Sequence, residues 1–318
     1  MFSTRQLLVA VLLMTPTVSW GQANSIRELR FDPLDQKRER TVPLKVYFVN
    51  ADRPQPVVLF SHGLGGSREN NAYLGKHWAA AGYVGVFMQH PGSDDQVWKS
   101  AKLGERFKTL KAAASAESLI QRIADVPFVI DQLEVWNTQT EHPLHGKLDL
   151  EHIGMSGHSF GAVTTMAVAG RKFPLNRSFP EKRIDAFLAM SPQPGQGMSA
   201  DKVFGHLTQP ILCMTGTKDG SPIDPSLKPA SRREVYTALP AGDKYQLVLH
   251  DAEHSAFGEG GRLLSRRQHP EHHPAIQQIS LQFWNAYLKD DAKSKQWLQS
   301  KRPITETRLD DQDVWEWK

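Results

Sequence analysis

The sequence predicts an α/β protein with a doubly wound, mostly parallel sheet flanked by helices. Two observations support this fold class. Short apolar runs alternate along the chain with segments whose apolar residues have helical spacing. Each run ends in a loop rich in glycine or polar residues, as strands do at the functional edge of such sheets. The runs are continuous rather than alternating, which indicates strands covered by helices on both faces.

The strands are predicted from the N-terminus onwards. Residues 26–31 and 41–49 flank a polar turn at 32–40 and are expected to pair as an antiparallel hairpin at the N-terminal edge of the sheet. The remaining strands are expected at residues 56–60, 84–88, 153–155, 186–190, 211–214 and 246–250.

Three long segments between the strands are predicted to be helical. Residues 70–81 form a helix closed by Gly82, and residues 274–288 form the last helix. Residues 116–135 carry apolar side chains at helical spacing, but Pro127 predicts a kink or a fresh start within them.

An irregular helical stretch and one later loop are expected to shape a cleft. Residues 94–116 have helical propensity without a regular apolar pattern, and Trp98 and Phe107 either line a pocket there or only pack the stretch down. Loops 92–115 and 191–205 are expected to set substrate specificity.

Length and composition indicate one folded domain behind an export signal. The chain has 318 residues, of which 40% are hydrophobic and 23% charged, and no linker or repeat divides residues 24–318. Residues 1–23 predict a signal peptide, with Arg5 before an apolar stretch at 7–14 and cleavage after Ala23. The alternative is a buried N-terminal helix. We expect an exported protein, periplasmic or secreted, without stable membrane insertion.

The charge and cysteine content exclude several function classes. The net charge is +4, but lysine and arginine are scattered and not grouped with aromatic residues, which argues against nucleic-acid binding. The one cysteine, Cys213, excludes an intramolecular disulfide and a cysteine-based zinc site. Its apolar surroundings indicate a small core residue.

The stretch 151–170 carries the strongest chemical signal. An apolar run is followed by Gly157-His158-Ser159-Phe160-Gly161 and then by small residues that favour a helix. This order of strand, sharp turn and helix is typical of a nucleophile elbow, in which a strained turn projects a serine hydroxyl from the sheet. Glycines flank Ser159 because a Cβ there would collide with the neighbouring strand or the incoming helix.

A serine nucleophile needs a base and an acid, and in this arrangement they follow the serine in the order acid, then histidine. Asp219 follows the run at 211–214 and is preferred to Asp224, which lies five residues later. His254 occupies the loop after the last predicted strand, whereas His250 still belongs to that strand.

The glycine-rich turn at 61–67 suits an oxyanion loop, because its backbone must approach a developing negative charge closely. It matches neither common phosphate-binding pattern. The expected oxyanion donors are the backbone N–H groups of Leu64 and Phe160. His158 is expected to border the acyl cleft without transferring protons.

A second group of histidines has a structural interpretation. His269, His272 and His273 surround Glu271 just before the last helix. A metal site would need these ligands to converge, and the pattern more simply marks a loop and a helix start. No metal and no cofactor are therefore expected.

Five stretches, in this order, resemble one branch of the α/β-hydrolase superfamily. They are PVVLFSHGLGGSRENNAYLGKHWAAAGY, IGMSGHSFGA, CMTGTKDGSPI, DAEHSAFG and ISLQFWNAYLKDD. The branch groups platelet-activating-factor acetylhydrolases, predicted dienelactone-hydrolase-like proteins and cutinase-like polyesterases. The resemblance covers roughly residues 27–298.

The resemblance implies the α/β-hydrolase fold and the site already identified. It implies Ser159 as nucleophile, Asp219 as acid and His254 as base, with oxyanion amides at Leu64 and Phe160. Dienelactone hydrolases have a cysteine where this chain has a serine. Relatives that degrade aromatic polyesters tend to have an aromatic residue where this chain has the sequence Ser-Pro-Gln-Pro at 191–194.

The expected function is that of an exported serine carboxylic-ester hydrolase acting through an acyl-enzyme on short or accessible acyl esters. The substrate would be a small-molecule ester or a polyester. Alternatives are a cutinase-like polyesterase, a phospholipase like the platelet-activating-factor acetylhydrolases, and a binding module without catalysis. The sequence gives no oligomeric state.

Overall fold

A computed structural model describes residues 25–195, 197–259 and 272–318. The predicted signal peptide at 1–23 and two members of the histidine group, His269 and Glu271, lie outside the described residues.

Eleven strands are present in the described part of the chain, and nine of them form one sheet. Across this sheet the order is β1-β4-β6-β5-β7-β8-β9-β10-β11. The strands, in chain order, are β1 (Arg27–Phe31), β2 (Leu34–Asp35), β3 (Arg40–Thr41), β4 (Leu44–Phe48), β5 (Gln55–Ser61), β6 (Val84–Met88), β7 (Leu148–His158), β8 (Ala186–Met190), β9 (Ile211–Lys218), β10 (Lys244–Glu253) and β11 (Val314–Trp317).

The sheet is mostly parallel, as the sequence predicts. Strands β5 to β10 all run in one direction. At one edge β4 pairs antiparallel with both β6 and β1, and Arg27 lies opposite Phe48. The predicted antiparallel edge pairing is thus present. The turn between its strands contains a separate small hairpin formed by β2 and β3, which the sequence did not indicate.

Helices cover both faces of the sheet. They are α1 (Ala72–Ala80), α2 (Gln96–Lys99), α3 (Arg106–Ala113), α4 (Ala116–Thr138), α5 (Phe160–Val168), α6 (Ala200–Phe204), α7 (Pro229–Ala238), α8 (His273–Leu288), α9 (Ala292–Leu298) and α10 (Arg302–Glu306).

Two apolar cores, one on each face, hold these layers together. Val126 of α4 and Met166 of α5 belong to the first core. Trp78 of α1 and Trp284 of α8 belong to the second, where their rings meet edge to face at 5.8 Å between centroids. Burial of such large aromatic side chains contributes strongly to the stability of the fold.

The helix predictions fit with one difference, which is in α4. Helix α4 is continuous over Ala116–Thr138 and contains Pro127, so the predicted fresh start does not occur. The stretch 94–116 is irregular because a 3₁₀ turn at Leu103–Glu105 joins α2 to α3. Helix α1 closes before Gly82, which adopts a positive φ of 80°.

No helix within residues 25–195, 197–259 and 272–318 is both long and apolar enough to cross a membrane.

Candidate active site

Ser159 lies at a strained turn between β7 and α5. Its φ of 57° and ψ of −116° fall outside the regions that non-glycine residues normally occupy. The backbone N–H of Ser159 donates to the carbonyl of Met190, at the end of the neighbouring strand β8, over 2.9 Å. The turn is therefore fixed to the sheet on one side and to the helix on the other.

The two glycines that flank Ser159 are required by close backbone contacts. A Cβ on Gly161 would overlap the carbonyl oxygen of Ser61 and lie 2.6 Å from its carbonyl carbon. A Cβ on Gly157 would lie 2.9 Å from the same Ser61 oxygen and would overlap the backbone of Gly161. Strand β5 and helix α5 thus approach each other more closely than any side chain allows.

Three side chains form a hydrogen-bonded chain above the carboxyl ends of β7, β9 and β10. His254 Nδ1 lies 2.7 Å from Asp219 Oδ1, and His254 Nε2 lies 2.9 Å from Ser159 Oγ. An ionised carboxylate only accepts, so Nδ1 carries the proton and Nε2 accepts from the serine hydroxyl. The structure therefore brings together the three residues that the sequence identifies as nucleophile, acid and base.

Asp219 is fully buried and held as a carboxylate. Its Oδ2 accepts from the Thr215 hydroxyl over 2.9 Å, and its Oδ1 lies 3.0 Å from Arg232 Nε. Burial by itself raises the pKa of Asp219, but His254 and Arg232 outweigh burial and hold that pKa below its usual value.

Arg232 is a supporting residue that the sequence analysis missed. Its buried guanidinium donates to the backbone carbonyls of Asp219 (2.7 Å), Ser191 (2.8 Å) and Pro192 (3.2 Å), and so ties the loop after β9 to the loop after β8. One signal was available. Arg232 precedes Val235 by three residues in α7, so helical spacing places it on the buried face.

The alternative acid and base lie elsewhere. Asp224 is partly exposed, and its Oδ1 accepts from the backbone N–H and the hydroxyl of Ser226. His250 lies within β10, and its backbone N–H donates to Asp313 Oδ1. Within the described residues, neither is hydrogen-bonded to Ser159, His254 or Asp219.

The two amides predicted as oxyanion donors line the same cleft as Ser159. In the described part of the protein, neither the N–H of Leu64 nor that of Phe160 donates to another group. A Cβ built on Gly63 would lie 3.5 Å from the Ser159 Cβ, so this glycine-rich turn passes directly beside the serine. Both donors are thus available to a ligand.

A fully buried arginine on α4 supports this turn from below. Arg122 donates to the His62 carbonyl and to the Ser93 hydroxyl, each over 2.8 Å. Its guanidinium also lies 4.4 Å from the centroid of the Phe160 ring. One side chain therefore contacts both segments that carry the predicted oxyanion amides.

A second chain of aspartate, histidine and serine lies within this buried layer. Asp125 Oδ2 accepts from His90 Nδ1, and His90 Nε2 accepts from the Ser61 hydroxyl, each over 2.9 Å. All three residues are fully buried, so Ser61 is inaccessible to a substrate. Arg40 pairs with the same carboxylate at 2.9 Å. This chain holds the start of the glycine-rich turn in place.

His158 packs against His254. Its Nε2 donates to the His254 carbonyl over 3.0 Å, and the two ring centroids are 4.7 Å apart. Burial, with a smaller contribution from His254, lowers the pKa of His158 to about 3. A neutral ring in this place orients the His254 backbone and takes no proton near neutral pH.

Ser159 and His254 open into a cleft of about 1690 Å³. Trp98 lines this cleft, and its Nε1 donates to the Gly65 carbonyl over 2.8 Å, which ties α2 to the glycine-rich turn. Phe107 is half exposed and does not line the cleft. Gln193 and Met198, from the loop at 191–205, also line the cleft.

The described residues contain no group of three side chains that could hold a metal ion. His273 begins α8 and stacks on the Tyr73 ring at 3.8 Å between centroids. Cys213 is a buried core residue, as the sequence predicts, and burial raises the pKa of its thiol to about 12.

Comparison with known proteins adds no assignment. No protein-family model matches the chain, and no curated protein sequence matches it at a significant level. The functional interpretation therefore depends on the geometry of Ser159, His254 and Asp219 and on the motifs in the sequence.

Because helix α5 lies so close to strand β5 at Gly161, adding one methyl group there should strongly destabilise the protein. Gly161→Ala should lower the free energy of unfolding by about 3 kcal/mol or more, because the added Cβ meets rigid backbone rather than a side chain that can move. Urea denaturation would measure it. Gly104→Ala is the matched control, since a Cβ there meets nothing within 4 Å, and it should change stability by less than about 0.5 kcal/mol.

A Gly161→Ala protein as stable as wild type would contradict the packing described for the turn.

The buried histidines predict a loss of stability in mild acid. Burial, helped by Arg122, lowers the pKa of His90 to about 4 and holds that of His62 well below its usual value. An unfolded histidine titrates near pH 6.5, so the unfolded state binds more protons as the pH falls from about 7 towards 4. The stabilising contribution of these neutral histidines is therefore fully present above about pH 7. The contribution of His90 alone to the free energy of unfolding should fall by about 3 kcal/mol by pH 4.

Urea denaturation at successive pH values tests this expectation. His90→Gln should flatten the dependence of the unfolding free energy on pH, whereas the exposed residue His145 can be changed to Gln without affecting it. A wild-type unfolding free energy that stays constant from pH 7 to 4.5 would show that these side chains are not held neutral.

Proposed function

We propose that this protein is a serine carboxylic-ester hydrolase of the α/β-hydrolase fold. The observation that carries the proposal is the hydrogen-bonded chain of Ser159, His254 and Asp219, with the serine held in a strained turn that opens into a cleft. A strained, accessible serine that donates to a histidine paired with a buried carboxylate is suited to nucleophilic catalysis.

The topology supports the assignment of the fold. Serine, acid and histidine follow β7, β9 and β10 in that order along the chain, and all lie at the carboxyl ends of parallel strands. This order and placement are those of α/β hydrolases. The resemblance of the five sequence stretches agrees with it.

The residues have distinct roles in the proposed reaction. Ser159 Oγ attacks the ester carbonyl while His254 Nε2 takes the hydroxyl proton, and Asp219 stabilises the imidazolium that forms. The negative charge on the former carbonyl oxygen is received by the N–H groups of Leu64 and Phe160.

Collapse of this intermediate breaks the bond to the alcohol. The alcohol leaves with the proton from His254, and an acyl ester remains on Ser159. Water then attacks the acyl carbonyl while His254 takes one of its protons, and His254 returns that proton to Ser159 Oγ as the bond to the serine breaks and the acid is released. The reaction needs no oxidant, reductant or cofactor, and export through residues 1–23 is part of the proposal.

The size of the cleft favours a polyesterase as the second candidate. A volume of about 1690 Å³ exceeds the roughly 300–1,000 Å³ typical of sites for small ligands, and a polymer segment needs more room than a short acyl group.

Hydrolysis of 4-nitrophenyl esters from acetate to long chains tests the proposal. Ser159→Ala should lower kcat by a factor of at least about 10³, because the oxyanion donors alone leave only weak catalysis. Release of soluble acids from an aliphatic polyester film by the wild type would favour the second candidate over an esterase of small substrates.

The controls use variants that leave the nucleophile intact. Ser255→Ala, next to the base, should retain activity if only Ser159 attacks. A folded Ser159→Ala protein that hydrolyses the esters at the wild-type rate would exclude the mechanism.

A further inference from the structure

Arg171 is a buried cation with no hydrogen-bonding or ionic partner among the described residues. Only 6% of its surface is exposed, and it lines the same cleft as Ser159. Its guanidinium makes no hydrogen bond and no ion pair with the described residues, and Nε is buried and unpaired. A guanidinium has five N–H donors, and burial of an unpaired charge is costly. A bound anion would accept from these donors and compensate the charge.

The other buried arginines show what is missing. Arg122 and Arg232 each donate to several protein oxygens over 2.7–2.8 Å, so their charges are compensated within the fold. At Arg171, burial alone lowers the pKa, to about 10, and no acidic neighbour counteracts it. The side chain is still a cation at neutral pH.

Aromatic rings hold the guanidinium without using its donors. It lies 5.1 Å from the ring centroid of Phe173 and 5.2 Å from that of Phe204. Such contacts stabilise the cation through the ring faces. They leave the N–H groups at its edge available to an anion.

The backbone at Arg171 is also fixed. Helix α5 ends in a pair of hydrogen bonds, from the Gly170 N–H to Ala167 and from the Arg171 N–H to Met166, each over 3.0 Å. Gly170 adopts the positive φ, 105°, that such an ending favours. The arginine therefore starts from a rigid position.

Lys172 adds a second positive charge to this end of the cleft. It lines the cleft beside Arg171, and its backbone N–H donates to the Val203 carbonyl over 3.0 Å. Its ammonium group has no ion pair with the described residues. The opposite end of α5 carries Ser159, and a nine-residue helix is about 13 Å long.

We propose that Arg171 and Lys172 form an anion-binding subsite of the cleft, so that the preferred esters carry a carboxylate or phosphate on the part of the molecule farthest from the scissile bond. That the ligand is an ester rests on the proposed function, whereas the binding of an anion at this subsite does not depend on that function. The helix length requires several bonds between the ester and the anion. A medium-chain dicarboxylic half-ester has this form.

A matched pair of substrates tests the subsite. Mono-4-nitrophenyl decanedioate carries a free carboxylate, and 4-nitrophenyl methyl decanedioate has the same chain without the charge. The wild type should have a higher kcat/KM for the charged ester, and Arg171→Met should reduce that preference at least tenfold. Arg171→Lys keeps the charge and should retain part of it.

Arg177→Met is the control, because Arg177 is exposed and lies outside the cleft lining. It should leave the preference unchanged. An ester with a terminal phosphate on the same chain separates the two anion sources. A stronger preference for the phosphate ester would assign the subsite to phosphate-bearing esters, and a stronger preference for the carboxylate would assign it to dicarboxylic ones.

Binding to Ser159→Ala keeps this test separate from catalysis. Calorimetry with monomethyl decanedioate should give at least tenfold weaker binding when Arg171→Met is added, and no such loss with dimethyl decanedioate. Binding that depends on Arg171 in a protein that hydrolyses no ester would refute the proposed function and keep the subsite. Hydrolysis without any preference for the charged ester, or a preference that survives Arg171→Met, would overturn the subsite and keep the function.

A melting temperature for each variant verifies that it is folded. Should Arg171→Met fail to fold, Arg171→Gln and Lys172→Gln give the same comparison with smaller changes in volume. Retained preference in both folded variants would equally overturn the subsite.

Discussion

The close packing of helix α5 against strand β5 is the constraint on which the site depends. The two elements approach so closely that Gly161 lies directly on the Ser61 carbonyl, and only a residue without a Cβ fits there. This contact forces the chain to turn sharply at Ser159, with a φ of 57°. Because α5 is buried along nearly its whole length, the core holds the strain that exposes the serine.

Buried charge then fixes the two loops on either side of the serine. Arg232 joins the loop of Asp219 to the loop after β8, and Arg122 joins the glycine-rich turn to the Phe160 ring. Each arginine is satisfied by oxygens that would otherwise be buried without partners, which makes such networks rigid. Arg171 differs from both because its guanidinium is hydrogen-bonded to none of the described residues, and this difference is the basis of the proposed anion subsite.

The sequence predicted those features that depend on local patterns. Continuous apolar runs indicated the parallel strands, and the position of a residue after its strand separated Asp219 from Asp224 and His254 from His250. Strand β11 was missed because it is short and lies among charged residues near the C-terminus. Arg122 was missed because its partners are about 30 to 60 positions distant along the chain, and no local motif indicates such contacts. A charged residue on the apolar face of a predicted helix is the signal that would have identified it.

The most direct test of the account is to locate the site of covalent modification by a serine-directed fluorophosphonate. The reagent should form one adduct per chain, and peptide mass spectrometry should place it on Ser159, because this serine lines the cleft and its hydroxyl donates to His254. His254→Gln should greatly slow the labelling of the folded protein. A folded wild-type protein that forms no adduct, or forms it on another serine, would contradict the central claim.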